Sequence, residues 1–463
     1  MHEWLSRRPR LNRRRTQNSM RPSTSRRVSL SRTTRTLFAF FLVLLAAATA
    51  TTDAAAARKK KAATRAAPPV LAVPVPIPRV DPQAVAADAE GVVGDANRWI
   101  DAIEGSGQVA GLAVAIVKDD AVVLERVAGY ADWDTRTPVT ATTVFRLASL
   151  SKGFASALAA LIVGENRLRW ETRITDLLPT FTLADIEGGQ QLTVRDILSQ
   201  RVGLPSNTYD RLLEADEPYP LLVERLRDVP LVCPVGACYG YQNISFSLIG
   251  DVTYAATGDF FYHQVEKRLF HPLGMDTATY GRDGLESSAA WARPHRRAGT
   301  GFRSFQPKET YYRIAPAAGV NASIRDMEAW LIAQMGGRPG VLPLPILDLL
   351  HTPQIATDHE QTTTPWRRGR LLAAHYGLGW RVFDYAGETM VFHAGAVQGY
   401  RGVVGFLPKY RFGIVMLWNS ESPLPSGLLP MVMDRYLGLP AVDWAGIEVP
   451  PAAIAGVPAR RAN

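Results

Sequence analysis

The sequence predicts an α+β architecture, an α/β sandwich in which an antiparallel sheet flanked by helices is assembled from both chain ends around an inserted all-helical lobe. Two β-rich runs stand early in the chain and four more stand late. Between them, residues 165–290 carry helical segments broken by Pro and Gly. At 463 residues, 47% apolar and 21% charged, the chain has enough material for one large two-lobed unit.

The elements follow in order. Arg-rich and Ser/Thr-rich residues lead into the apolar stretch Leu37 to Ala48, followed by small residues at Ala54 to Ala57. That stretch is well short of the ~20 residues that span a bilayer, so residues 1–57 read as an export signal, with a periplasmic or secreted destination. Residues 1–61 also hold 15 Lys or Arg against Glu3 and Asp53, leaving 37 basic and 41 acidic residues in the body. The net charge of +9 therefore belongs to the leader, and a phosphate-binding groove is not supported. The expected partner is a small-molecule or peptide substrate and not a nucleic acid. Membrane contact is expected only through an uncleaved N-terminal segment.

Residues 58–80 form an Ala/Pro-rich linker, residues 81–440 the folded domain and residues 441–463 a tail. A first helix is expected over 85–104. Gly111 to Val117 and Ala121 to Ala128 flank Lys118-Asp119-Asp120 as a hairpin. Lys152 to Val163 is an unbroken apolar helix ending at Gly164. Further helices are expected at Val194 to Ser199, Tyr219 to Arg227, Ile244 to Ala256 and Phe260 to Leu269. Strands return at Gly379 to Tyr385, Thr389 to His393, Gly399 to Leu407 and Phe412 to Trp418, and Pro425 to Leu437 closes the domain as a helix.

Three short constellations carry chemistry. In Ser149-Leu150-Ser151-Lys152, residues three apart share a helix face, so the Lys152 amine can reach the Ser149 oxygen. Burial lowers a lysine's pKa and lets it take the serine proton, and a helix N-terminus favours the developing negative charge. A serine there also serves simply as an N-cap. Tyr241-Gln242-Asn243 places a phenol, a proton shuttle, beside an amide able to hold substrate and Lys152. The plain alternative is a core tyrosine and a capping asparagine. His393-Ala394-Gly395-Ala396 ends a strand. Its small residues leave room for substrate along the strand edge, and the Ala396 N–H can join that of Ser149 as an oxyanion hole.

Cys233 and Cys238 close a short loop, and export favours a disulfide between them. Gly236-Ala237-Cys238-Tyr239-Gly240 also has the outline of a cysteine nucleophile elbow, without the strand that should precede it. The eight histidines show no metal-binding spacing, and no phosphate loop appears, so neither metal nor cofactor is expected.

With LTVRDILSQRVGLP (Leu192 to Pro205), LFHPLGMDTATYG (Leu269 to Gly281), PAAGVNASIRDMEAWL (Pro316 to Leu331) and YGLGW (Tyr376 to Trp380) in order, the chain resembles the class C β-lactamase and D-alanyl-D-alanine carboxypeptidase family of penicillin-recognising serine hydrolases, which includes related esterases. The likeness covers roughly residues 95–438. It implies a β-lactamase/transpeptidase-like fold with Ser149 as the acylated nucleophile, Lys152 as its base partner and Tyr241 as the proton shuttle. It makes Asn243, His393, Gly395 and Ala396 substrate-binding residues. Dedicated class C β-lactamases carry Lys-Thr-Gly where this chain has His393-Ala394-Gly395, which weakens the constant positive charge expected to hold a substrate carboxylate. The implied reactants are β-lactams, D-alanyl peptides or related amides and esters. The alternatives are a small-ester carboxylesterase and a non-catalytic penicillin- or peptidoglycan-binding protein.

Overall fold

A computed structural model of the chain describes residues 76–86 and 89–447. The export signal, most of the linker and the end of the tail lie outside the described residues. Nine strands form one antiparallel sheet: β1 (Gly111–Lys118), β2 (Ala121–Asp132), β3 (Thr137–Pro138), β4 (Ile355–Ala356), β5 (Leu371–Tyr376), β6 (Arg381–Tyr385), β7 (Glu388–Val397), β8 (Tyr400–Leu407) and β9 (Phe412–Trp418). Their spatial order is β3-β2-β1-β9-β8-β7-β6-β5-β4. The N-terminal hairpin thus joins the C-terminal meander through β1 and β9, in register from Leu112 opposite Trp418 to Lys118 opposite Phe412. The expected hairpin turn has Asp119 and Asp120 both at positive φ, 49° and 66°, the backbone of a tight two-residue connection.

β1 shows why the sheet is sandwiched. Leu112, Val114 and Ile116 enter one hydrophobic core, and Ala113, Ala115 and Val117 the other. Successive side chains leave a strand on opposite faces, so a strand apolar at both parities must be covered twice. Helix α1 (Glu90–Gly105) and the closing helix α5 (Leu428–Tyr436) cover one face. Helices α2 (Ser151–Gly164) and α4 (Ile324–Gln334), with the helical lobe, fill the other.

The lobe over 165–290 is built of short helices, among them α3 (Asp210–Glu214). Short strands were not expected at Leu371–Tyr376 or in the hairpin His295–Ala298 and Gly301–Ser304, whose polar sequence, RRAGTGFR, reads as a loop. Among the described residues no helix is long and apolar enough to cross a membrane.

Two local features aim the sheet at the site. β6 pairs with β7 only as far as Arg381 opposite Phe392, whereas β8 accompanies β7 to Val397. Residues 393–397 therefore keep one strand edge without a sheet partner. Gly153 opens α2 to the Trp380 ring, since a Cβ there would lie 2.7 Å from it. Gly379, at φ +74°, brings its own backbone against the Lys152 carbonyl.

Candidate active site

A 3-10 turn, Ala148–Leu150, precedes α2, and the turn rather than the α-helix carries Ser149. Ala148 has a left-handed backbone, φ +50°, uncommon for a residue with a Cβ. The Ser151 hydroxyl holds this geometry, donating to the Ala148 carbonyl at 2.6 Å and accepting from the Val320 N–H at 3.0 Å. The two serines of SLSK are thereby distinguished. Ser151 is buried and committed to backbone, while Ser149 is the single residue between 143 and 160 that is not buried. Tyr241 has the same status between 240 and 249.

Lys152 lies fully buried on the first turn of α2. Its Nζ donates to Ser149 Oγ at 3.2 Å, to Asn243 Oδ1 at 2.6 Å and to the Ala317 carbonyl at 3.2 Å. None of these acceptors is a carboxylate. Burial consequently pushes the amine well below the ordinary lysine range, Arg381 adds to that, and Asp210 opposes it. The Tyr241 ring stands 4.8 Å from Nζ. Burial raises its phenol to about 12, against the opposing influence of Arg381 and of hydrogen bonding with Ser149. Lys152 is thus biased towards its neutral form and the phenol towards keeping its proton.

Tyr241 and Asn243 are held by the loop that follows residue 200. Gln200, itself at φ +64°, accepts from the Gln242 N–H at 2.7 Å, and the Asn207 N–H donates to the Tyr241 carbonyl at 2.7 Å. Cys233 and Cys238 form a disulfide in the segment leading to Tyr241. That bond removes the free thiol required by the rival elbow at Cys238.

The opposite wall is β6 and β7. His393 is 1% exposed. Its Nε2 lies 3.3 Å from the Tyr376 hydroxyl and 3.5 Å from Arg381 Nη1, and its Nδ1 lies 2.9 Å from the Ala394 carbonyl. A guanidinium only donates, so Nε2 accepts and Nδ1 carries the hydrogen. Burial, with Arg381 and Lys152 nearby, pushes the imidazole well below its usual range and keeps it neutral. Both ring nitrogens are used within the wall, so the imidazole supports Arg381 instead of offering substrate a polar edge. Gly395 is small for a reason other than substrate: a Cβ there would meet the Leu147 carbonyl at 2.2 Å. Ala396 is exposed on the stretch of β7 without a β6 partner.

Arg381 is a residue of this wall that sequence reasoning missed. It follows YGLGW directly, and that position was its only signal. Its Nε donates to Glu360 at 3.2 Å, and Arg367 pairs with the same carboxylate. Burial works against the Arg381 charge, but Tyr239, Glu360 and Tyr241 more than offset it. Burial would likewise raise the Glu360 carboxyl, yet Arg381 and Arg367 hold it below its ordinary value. Two guanidiniums over one carboxylate leave a net positive charge beside Tyr241, whose ring is 5.3 Å from the Arg381 guanidinium. Among the described residues no cluster of His, Cys, Asp or Glu is arranged to hold a metal ion.

Residues 96–430 match the family described as Beta-lactamase. The chain belongs to this beta-lactamase family of serine hydrolases. It is 25% identical over 363 residues to an unguisins hydrolase of Aspergillus violaceofuscus, covering 73% of this chain and 63% of that protein. It is 27% identical over 349 residues to a D-aminopeptidase of Brucella anthropi, covering 73% of this chain and 61% of the relative. The chain thus spans somewhat under two thirds of the length of these relatives. The octameric penicillin-binding protein homologue from Pyrococcus abyssi has the same fold, with a TM-score of 0.66, 23% identity and coverage of 75% and 78% of the two chains. Within this family's fold, Ser149 and Lys152 at the start of α2 meet Tyr241 and Asn243 of the helical lobe on one wall, and Arg381 and His393 face them from the sheet.

Proposed function

We propose that the chain is an exported serine hydrolase that forms a Ser149 acyl-enzyme with β-lactams, D-alanyl peptides or related amides and esters. The observation that carries this reading is the 3.2 Å contact between a partly exposed Ser149 and a buried Lys152 that lacks any direct carboxylate partner. Lys152 takes the Oγ proton as Oγ bonds to the substrate carbonyl carbon. The oxyanion is received by the backbone N–H groups of Ser149 and Ala396. Collapse breaks the bond to the leaving nitrogen or oxygen, which collects a proton through Tyr241, and water then releases the acid by the reverse path. Asn243 holds Lys152 and borders the substrate.

The fixed charge of Arg381 favours acyl donors that carry a carboxylate, the role His393 does not fill. The activities named for the relatives fit acyl transfer from peptide amides. Export is supported by the leader and by the disulfide.

The test is to incubate the mature protein with a fluorescent penicillin and with p-nitrophenyl butyrate, and to map any adduct by mass spectrometry. An adduct on Ser149, absent from Ser149→Ala, is expected. No adduct and no turnover with either probe, or undiminished activity in Ser149→Ala, overturns the reading.

A further inference from the structure

Behind Asn243 lies a carboxylate that no motif announces. Asp210 opens the five-residue helix α3, entered through Tyr209 in the left-handed region at φ +64°. The loop before it is fastened to the catalytic tyrosine segment by Asn207 on the Tyr241 carbonyl and by Gln242 Nε2 on the Pro205 carbonyl, at 2.7 and 2.5 Å. Asp210 Oδ2 accepts from Asn243 Nδ2 at 2.7 Å, and the other end of the same amide, Oδ1, accepts from Lys152 at 2.6 Å. As an ammonium Lys152 only donates, so the amide presents Oδ1 to it; a neutral amine could accept as well and would not by itself choose the end. A carboxylate on the far side accepts only from the NH2 end. The two contacts enforce a single orientation of Asn243.

We propose that Asp210 is a positioning residue for acylation: by gripping the Asn243 amide it fixes which end faces Lys152, and it sets a negative charge one side chain away from the base. The proposal rests on the Ser149–Lys152 reading. Asp210 Oδ1 is buried without a hydrogen-bond partner, so the carboxylate is held for the Asn243 contact at the expense of its own solvation. The other groups around it are Tyr311, whose hydroxyl lies 3.4 Å from Oδ2 and 3.1 Å from Glu214, and Glu214 itself. Burial raises the Asp210 carboxyl, Asn243 and Lys152 lower it, and Glu214 raises it again. Around Lys152 the charged and titratable groups are Asp210 from the lobe, Arg381 and His393 from the sheet, Tyr241 from its loop and Ser149 from its own turn.

The signs follow. A carboxylate favours the protonated lysine, so it keeps the base from titrating at too low a pH and keeps the ammonium available when a proton must be returned.

The experiment measures kcat and KM against pH for wild type, Asp210→Asn and Asp210→Ala, using whichever of the two acyl probes labels the wild-type chain. Asp210→Asn retains an acceptor for Asn243 but no charge, and its acidic limb is expected at lower pH than that of wild type. Asp210→Ala frees the amide, and its kcat is expected to fall between about tenfold and about a hundredfold with KM little changed. Asp210→Glu restores the charge and is expected to return the limb towards wild type. An acidic limb in Asp210→Asn that superimposes on wild type overturns the proposal, even if Asp210→Ala is inactive, because a purely structural residue gives that pattern. If Asp210→Asn does not fold, an unmoved limb in Asp210→Ala overturns it equally. Activity surviving in Ser149→Ala in the same assays removes the reading beneath it. Loss in Ser149→Ala with an unmoved Asp210→Asn limb removes the positioning role alone.

Discussion

The two walls of the cleft each bury a cation, and they treat it in opposite ways. Lys152 is surrounded by a hydroxyl, an amide oxygen and a carbonyl, and its nearest negative charge stands behind Asn243. Arg381 shares Glu360 with Arg367 and keeps its charge. A buried lysine without a direct carboxylate partner holds its proton less tightly, whereas a guanidinium given one is a permanent electrostatic fixture. On the proposed mechanism one wall therefore moves protons and the other holds charge still.

Exchanging the cation types breaks this contrast most sharply. Lys152→Arg keeps a charge that cannot be removed at any accessible pH, and the rate of Ser149 acylation is expected to fall by about a thousandfold. On the other wall, Arg381→Met is expected to raise KM for a carboxylate-bearing acyl donor by about tenfold or more, with a far smaller effect on an uncharged ester. Comparing penicillin and p-nitrophenyl butyrate kinetics in that variant reads the difference.

Stability should separate the walls by sign. Glu360→Gln leaves two buried guanidiniums with no counter-charge and is expected to destabilise the fold by about 2 kcal/mol, seen as a lowered urea midpoint. Because the folded-state pKa of Glu360 is depressed, its contribution is present above the ordinary carboxylate range and is lost as pH falls through the folded value. Lys152→Met, by contrast, removes a cation that the fold desolvates without a direct counter-charge, and is expected to stabilise by up to about 1 kcal/mol while abolishing turnover. The sign again follows from linkage. The unfolded chain binds the lysine proton more tightly, so wild-type stability rises with pH between the folded and unfolded values of Lys152. The Met variant should lack that slope.

The lobe wall was legible in the sequence because its residues occupy contiguous motifs with fixed spacing: Ser149 and Lys152 on one turn, Tyr241 and Asn243 on one loop. The sheet was legible because β1, β8 and β9 are apolar runs bounded by turns. The sheet wall was not. Arg381, Glu360 and Arg367 lie apart along the chain and converge only through strand pairing and the turn Asp358–Thr362. His393 drew attention as a motif residue, yet strand alternation and the neighbouring Tyr376 turn its ring into the wall. Asp210 escaped notice because its partner contact depends on the path of a loop through Gln200, Asn207 and Tyr209, all at positive φ. Periodicity carries no information about such a path.

The pairing of β1 with β9 has a consequence for how the molecule comes into being. Leu112 meets Trp418, a partner roughly three hundred residues later in the chain. The central ladder cannot close before Phe412–Trp418 has been made, and closing so long a loop slows assembly. The apolar strands at the N-terminal end must wait, unpaired along one edge, until the last strand arrives. Topology thereby makes the central seam of the sheet a late event in folding, whichever half of the sheet has formed first.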